Sequence, residues 1–317
     1  GLSAEFLAAL GFWAGLPWAL KMPLGHLVDL IWRWKGWLVM AGASLIAASL
    51  AIMIGLLADP DAMRSVMSAG AWYVLSALLA PVGFVMQDVV ADAMTVEAVP
   101  RVDEHGDPIG EDARRSMHTT MQTLGRVAII GGSLLVALLN VGMLGGVAQL
   151  PEAQRVGVYV TIHQIALAIP VISVSGVVFA WWLKRRKRDT LVAGGMTRAE
   201  ADAALTVHAE RPAVNWWVLG GGAAFAALSL GVGLGDFRFA QELVFAVSMA
   251  IILTLMWRLL RELEPSAREA LVGTAIVIFV FRALPTPGAG QTWWMIDELC
   301  FDQQFLALLS LISTALT

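Results

Sequence analysis

The sequence predicts an all-α protein that crosses a membrane many times. Three observations carry that reading. The first is composition: of 317 residues, 58% are hydrophobic and only 15% charged, with a mean hydropathy of +0.72. A water-soluble domain would be about 45–50% apolar and about 25% charged. The second is arrangement. The apolar residues are gathered into continuous runs of about 20, the length a helix needs to cross a hydrocarbon core of about 30 Å. These runs lack the period-two alternation of a membrane barrel. The third is an alternation of positive charge between the segments that join the runs.

Nine membrane segments are expected, at 2–24, 37–58, 70–98, 116–144, 157–183, 214–234, 238–261, 266–284 and 294–317. Pro17, Pro23, Pro81 and Pro170 fall inside them, which membrane helices tolerate better than soluble ones do. The connecting stretches 25–36, 99–115, 184–213 and 258–268 together hold fifteen Lys or Arg, whereas the opposite set holds three: Arg64, Arg155 and Arg238. Cytoplasmic loops carry an excess of Lys and Arg, so the first set is expected in the cytoplasm. The longest loop opens with the basic run 184–188, read as a topology anchor with a lipid-headgroup contact as the lesser alternative. Within it, Thr197-Arg-Ala-Glu200 is a capping box that predicts a short helix through about His208. The organisation that follows is a helical bundle over 1–183, a central loop over 184–213 and part of a second bundle over 214–317. The chain opens and closes inside apolar segments, so it reads as an internal piece of a longer protein, truncated at both ends.

Residues 84–97, FVMQDVVADAMTVE, are the most informative stretch. They place Gln87, Asp88, Asp92 and Glu97 in a membrane segment, where a carboxylate costs at least about 2.5–3.5 kcal/mol on insertion scales and so faces a cavity or a partner. Asp88 and Asp92 are four apart and share one helical face. Such a pair suggests a path for a solute or a proton.

Further stretches carry a family resemblance. Gly25-His-Leu-Val-Asp29, followed by Arg33 and Lys35 and a new apolar run, resembles the loop between the second and third helices of the major facilitator superfamily. It departs at Leu30, where a basic residue is usual, and at Trp34, which separates the two cations. The central loop at 184–213 matches the long loop between the sixth and seventh helices of that superfamily. Within it the chain is most similar to the folate-biopterin transporter family, through 17–29 (PWALKMPLGHLVD), 87–97 (QDVVADAMTVE) and 283–312 (ALPTPGAGQTWWMIDELCFDQQFLALLSLI). Trp293 and Trp294 stand where that family more often has Phe and Tyr. Muropeptide permeases share the Gln-Asp-x-x-x-Asp element, so 87–92 alone does not separate the two. The resemblance implies a major facilitator type bundle represented by helices two to ten. It also implies secondary transport of a small organic solute such as a folate or pterin, by alternating access, in a plasma membrane, most naturally a bacterial inner membrane.

The charges inside the membrane segments are the candidate substrate-binding or coupling residues: Lys21, Asp88, Asp92, Arg126 and Arg282. Lys21 either snorkels to the interface or pairs with Asp88 or Asp92. Asp92 is the better proton carrier if it lies deeper and is less paired. Glu97 is placed to pair with Arg101, four residues on. Arg126, beside Gly125, must be paired or hydrated, and its planar fork suits a carboxylate; if the solute is an anion, as folates are, Arg126 and Arg282 would hold it. Gly131 and Gly132 predict a close helix–helix approach. His163 and Gln164 read as helix–helix hydrogen-bonding groups, or less readily as ligand contacts. Tryptophans cluster near segment ends as an aromatic belt, with Trp13 and Trp18 the best placed to stack on a pterin-like ring. Gly25, Asp29, Arg33 and Lys35 form the candidate gating motif.

Chemistry of other kinds is not indicated. The single cysteine, Cys300, excludes an intrachain disulfide. No HExxH, phosphate loop or Gly-x-Ser-x-Gly occurs, and the five histidines lack metal-ligand spacing. The expectation is a non-enzyme with no cofactor and no metal, a monomer whose partners are a small solute, the bilayer and a proton as candidate coupling ion, and not nucleic acid. Transport of a muropeptide or another solute, and a non-transporting membrane assembly factor on the same fold, stay open as alternatives.

Overall fold

Residues 4–97, 99, 109–205, 213–233, 239–261, 263–282, 284 and 288–316 are described in the computed structural model. Among them every regular element is helical and there is no strand. Four stretches are long and apolar enough to cross a membrane: Trp32–Ala58, Ala69–Val96, Glu111–Gln149 and Glu152–Ala193. Large apolar side chains stand exposed along them, such as Ile129, Leu135, Val171 and Ile172. A surface this apolar suits hydrocarbon and not water.

The first expected segment is not one helix. Helix α1 (Ala4–Ala19) runs through Pro17, and the chain divides at Leu20 before α2 (Lys21–Leu30); proline lacks the amide that would donate back along the helix, and Pro23 is the residue whose amide would have bonded the Ala19 carbonyl. Pro23 sits in the first turn of α2, where a missing N–H costs nothing. A 3₁₀ turn at Trp32–Trp34 leads into α3 (Lys35–Ala58). Asp59 then caps α4 (Pro60–Val66) by accepting from the Ala62 amide at 3.0 Å, with Pro60 at its first position. Helix α5 (Ala69–Glu97) follows and runs through Pro81.

Helices α3 and α5 form the densest pairing, and three points fix it as antiparallel. The Gln87 side chain donates to the Val39 carbonyl at 3.1 Å. Gly42 and Gly83 meet backbone to backbone, so that a Cβ on Gly42 would lie 2.6 Å from the Gly83 carbonyl oxygen. Ser49 and Ser76, both buried, hydrogen-bond at 3.0 Å between their hydroxyls. Small residues at the crossing let the backbones approach, and the serines satisfy each other inside it. The core lies where α2, α3 and α5 meet, around Val28, Val85, Val89 and Val90.

Helix α6 (Glu111–Leu144) is followed by a 3₁₀ turn at Val147–Gln149, then by α7 (Glu152–Ala166) and α8 (Ala168–Ala193). The last two abut at Leu167. Helix α8 continues ten residues past the expected end of its membrane segment at 183, so the basic run is helical. It ends in a Schellman cap: Gly195 has φ +100°, Met196 N–H donates to the Leu191 carbonyl at 3.2 Å and Gly195 N–H to that of Val192 at 3.1 Å. The expected capping box is present, with Glu200 accepting from the Thr197 amide at 2.8 Å and the Thr197 hydroxyl accepting from the Glu200 amide at 3.3 Å, opening α9 (Arg198–Leu205). Its continuation toward His208 lies outside the described residues.

Beyond it run α10 (Trp216–Gly233), α11 (Ala240–Arg261), α12 (Pro265–Arg282), α13 (Gly288–Asp297) and α14 (Gln303–Ala315). The last expected segment is therefore interrupted at 298–302, where Cys300 adopts φ +53° and Asp302 caps α14 through the Phe305 amide at 2.7 Å. Among the described residues Gly131 and Gly132 do not mediate a close approach: nothing lies within 4 Å of a Cβ on either. Close approaches are made instead by Gly42 and Gly83 against each other, by Gly222 against Pro23, and, against side chains, by Gly36, Gly55 and Gly221.

Candidate functional site

The break at Leu20 sets the site. It starts α2 at Lys21, directly opposite the C-terminal half of α5. Gln87 fixes the rotation of α5: its amide is held by Val39 of α3, and its carbonyl oxygen accepts from the Ser173 hydroxyl of α8 at 3.3 Å. Successive helix residues are about 100° apart, so with Gln87 turned to α3 and α8, Asp88 and Asp92 turn to α1 and α2. There the Lys21 ammonium meets both carboxylates, at 2.5 Å from Asp88 and 2.7 Å from Asp92.

Three charges thus share one point, and with all three ionised the cluster carries a net charge of one negative. Asp88 is the deeper acid, its side chain 23% exposed against 64% for Asp92. The condition under which Asp92 would be the better proton carrier is not met, because it is the shallower of the two and also paired. Trp18 completes the corner: the Lys21 ammonium lies 5.9 Å from its ring centre, and the ring packs on Phe84 at 5.5 Å between centres. Lys21 and Asp92 of the triad line an open groove of about 630 Å³, together with Trp18, Gly25, Asp29 and Val96 among others, while Asp88 stands behind Lys21. Lys21 gives its wall a cation, Asp29 and Asp92 give it carboxylates, and Trp18 gives it an indole face.

The remaining candidates fall elsewhere. Arg126 is exposed on α6 and is not brought to the groove. Arg282 ends α12, and its side chain lies outside what is described, as do the Glu97 side chain and Arg101. Of the candidate gating motif, Gly25 and Asp29 line the groove. Arg33 and Lys35 lie away from it, over the rings of Trp34 and Trp32 at 5.3 and 4.2 Å. His163 bonds within its own helix, its Nδ1 2.8 Å from the Tyr159 carbonyl oxygen. Trp13 packs edge-on against Phe12, and only Trp18 of the two tryptophans reaches the groove.

Matched against protein-family models, curated proteins and solved structures, the chain finds no counterpart. Its own geometry is therefore what bears on function.

Two sets of contacts that sequence reasoning missed join distant parts of the chain. At one end, His26 Nε2 accepts from the Asn215 amide at 2.8 Å, while Asn215 Oδ1 caps α10 through the amides of Trp217 and Val218. Gly222 of α10 packs so closely on Pro23 that no side chain would fit between them. At the other end, Gln304 accepts from the Gly146 amide at 3.2 Å, and Tyr159 donates to Gln303. His26 is visible in the sequence as part of the Gly25–Asp29 motif, and Asn215 as a cap before an apolar run. Nothing in a single sequence signals that they meet.

Proposed function

We propose that this chain is the membrane-embedded body of a secondary transporter in which Lys21, Asp88 and Asp92 form the coupling site. The observation that carries the reading is one lysine shared by two carboxylates at the edge of an open groove in an apolar helical bundle. An ion pair in such a setting contributes little net stability, so its presence at membrane depth points to use. A proton arriving on either acid brings the cluster to neutrality and leaves Lys21 with a single anionic partner. The released ammonium can then take a carboxylate from a solute, with the Trp18 ring as a stacking face. Addition of one proton for each negative charge on the solute, up to one on each acid, keeps the site's charge unchanged, which is the condition for coupled movement through a low-dielectric region.

The solute class that suits a cation beside an indole is a small aromatic carboxylate. Folate or a pterin-like acid is the proposed example, consistent with the resemblance to folate-biopterin transporters, and the membrane is proposed to be a bacterial inner membrane. Alternating access by rocking of the segments before and after 184–213 would expose the groove to each side in turn.

The test is uptake of labelled folate by cells expressing the protein, with and without an uncoupler, for wild type, Lys21→Gln and the Asp88→Asn/Asp92→Asn pair. Uncoupler-sensitive uptake that both variants abolish is the expected result. Uptake that persists unchanged in the double Asn variant removes the coupling role. Uptake competed by anhydromuropeptides but not by folate assigns a different solute. A correctly inserted protein with no uptake of any tested solute favours an assembly role.

A further inference from the structure

The basic run 184–188 and the cations Arg33 and Lys35 are about 150 positions apart in sequence, yet the fold packs the segments that lead into them against each other. The contact that does so is Gly36: a Cβ there would lie 3.2 Å from the Trp181 ring and 3.2 Å from Val177, so the start of α3 rests directly on the last apolar turns of α8. Trp37 and Trp181 pack at 6.1 Å between ring centres, and Phe179 stacks on Trp182 at 5.7 Å. Around this seam four indoles stay substantially exposed: Trp34, Trp37, Trp181 and Trp182. Just beyond them stand the cations. Arg33 lies over Trp34, Lys35 over Trp32, and Arg186 over Trp182 at 5.5 Å. Beside Arg186 is a groove of about 590 Å³, lined by Trp182, Arg185, Arg186 and Thr190, with Asp189 the acidic group on its wall. Asp189 faces Arg188 at 3.8 Å, and Arg188 also reaches Asp202 of α9 at 3.8 Å.

We propose that this seam between the start of α3 and the end of α8 is a binding site for the headgroup of an anionic phospholipid. A topology signal needs positive charge alone. Here the charge is joined to a ledge of exposed indoles that two distant stretches assemble, and α8 continues as a helix so that Arg185 and Arg186 project from its surface where the apolar stretch ends. Indole rings settle at the headgroup level, and arginine binds phosphate oxygens in a two-pronged fashion. A phosphodiester with acyl chains satisfies both halves of the site; a soluble phosphate satisfies only the cations. The inference rests on the membrane reading and on the basic end facing an anionic leaflet. It does not rest on transport.

The experiment is native mass spectrometry of the purified full chain, titrated with phosphatidylglycerol, with phosphatidylcholine, and with inorganic phosphate as a competitor. The expected result is selective retention of phosphatidylglycerol that phosphate at equal concentration does not displace. Each cation near an anionic membrane surface contributes about a fivefold gain in binding, so Arg33→Gln/Arg185→Gln/Arg186→Gln should weaken retention by roughly a hundredfold. Gly36→Val keeps every charge but wedges α3 from α8, and it should weaken retention as well. Equal retention of the two lipids, or full retention by the triple variant, overturns the site. Displacement by inorganic phosphate overturns the lipid assignment. Loss in the arginine variant with none in Gly36→Val overturns the composite seam. Because the arginines are exposed at the surface, the triple variant folds independently of the answer. Lipid retention is read without any uptake assay, so failure of the transport proposal leaves this result interpretable.

Discussion

At the scale of single residues, the shared lysine and the paired glycines make opposite demands. Lys21 is 37% exposed and its interactions are softened by solvent, so each ion pair contributes on the order of 1 kcal/mol or less to stability. What matters more is the charge left behind. Lys21→Gln leaves two carboxylates four residues apart with no cation between them, and like charges at that spacing repel. Unfolding measurements should therefore show Lys21→Gln destabilised, with Asp88→Asn added to it recovering part of the loss. Coupling to Lys21 should be larger for Asp88 than for Asp92, because Asp88 is the more buried partner; equal coupling would mean that depth does not distinguish the two acids. Gly42 is set by sterics alone. A side chain there meets the Gly83 carbonyl at 2.6 Å, and overpacking of this kind costs about 1–3 kcal/mol. Gly42→Leu should lower the unfolding midpoint in detergent, whereas Gly131→Leu, with open space around it, should leave the midpoint where it is. A Gly42→Leu protein as stable as wild type would mean that α3 and α5 can separate without loss.

At the scale of elements, the short helix α9 offers a clean pH test because it lies outside the apolar stretches. The Thr197 amide and hydroxyl both donate to Glu200, which holds its carboxyl below the usual glutamate value. A carboxyl lowered on folding contributes stability that is complete above its ordinary value of about 4.3 and is lost as pH falls through the lowered one. Protection of the amides across 198–205, measured against the intrinsic exchange rate at each pH, should therefore be full at neutral pH and fall on acidification below that range. Glu200→Gln should flatten this dependence, because its amide can cap but does not titrate; an unaltered pH profile in that variant would place the titrating group elsewhere. This capping box was legible in four residues, as were the helical character of every described element and the shared face of Asp88 and Asp92. Less legible were the breaks at Leu20 and at 298–302. Pro17 and Pro23 were visible, but whether a proline merely bends a membrane helix, as at Pro17, or sits where one divides, as at Pro23, depends on what packs beside the freed carbonyls. The role given to Gly131 and Gly132 failed for the same reason: a small residue permits a close approach, and the partner decides whether one occurs. Gly42 and Gly83 became a crossing because Gln87 and the Ser49–Ser76 pair hold α3 and α5 in register on either side of them.

At the scale of the whole molecule, the two sets of long-range ties occupy opposite ends of the bundle. Trp181 rests against Gly36 near the end that holds His26, and Tyr159 lies 22 residues earlier along α7 and α8, about 33 Å away along a helix axis. Rocking transport requires that one end open while the other stays shut, and an equilibrium between two such states shifts only by the difference in contacts each one makes. The Asn215 amide bonded to His26 is a contact of the first end; the Gly146 amide bonded to Gln304 is a contact of the second. Removing one should favour opening there and, if the ends are coupled, closure at the other. On a Cys300→Ser background, His26→Ala should speed labelling of Met22→Cys by a water-borne maleimide and slow labelling of Gly142→Cys. Gln304→Ala should do the reverse. The sign is the informative part. Changes of opposite sense at the two ends identify a reciprocal pair of gates, whereas labelling that rises at both ends in both variants describes a bundle that has only been loosened, and the rocking proposal would then lose its basis.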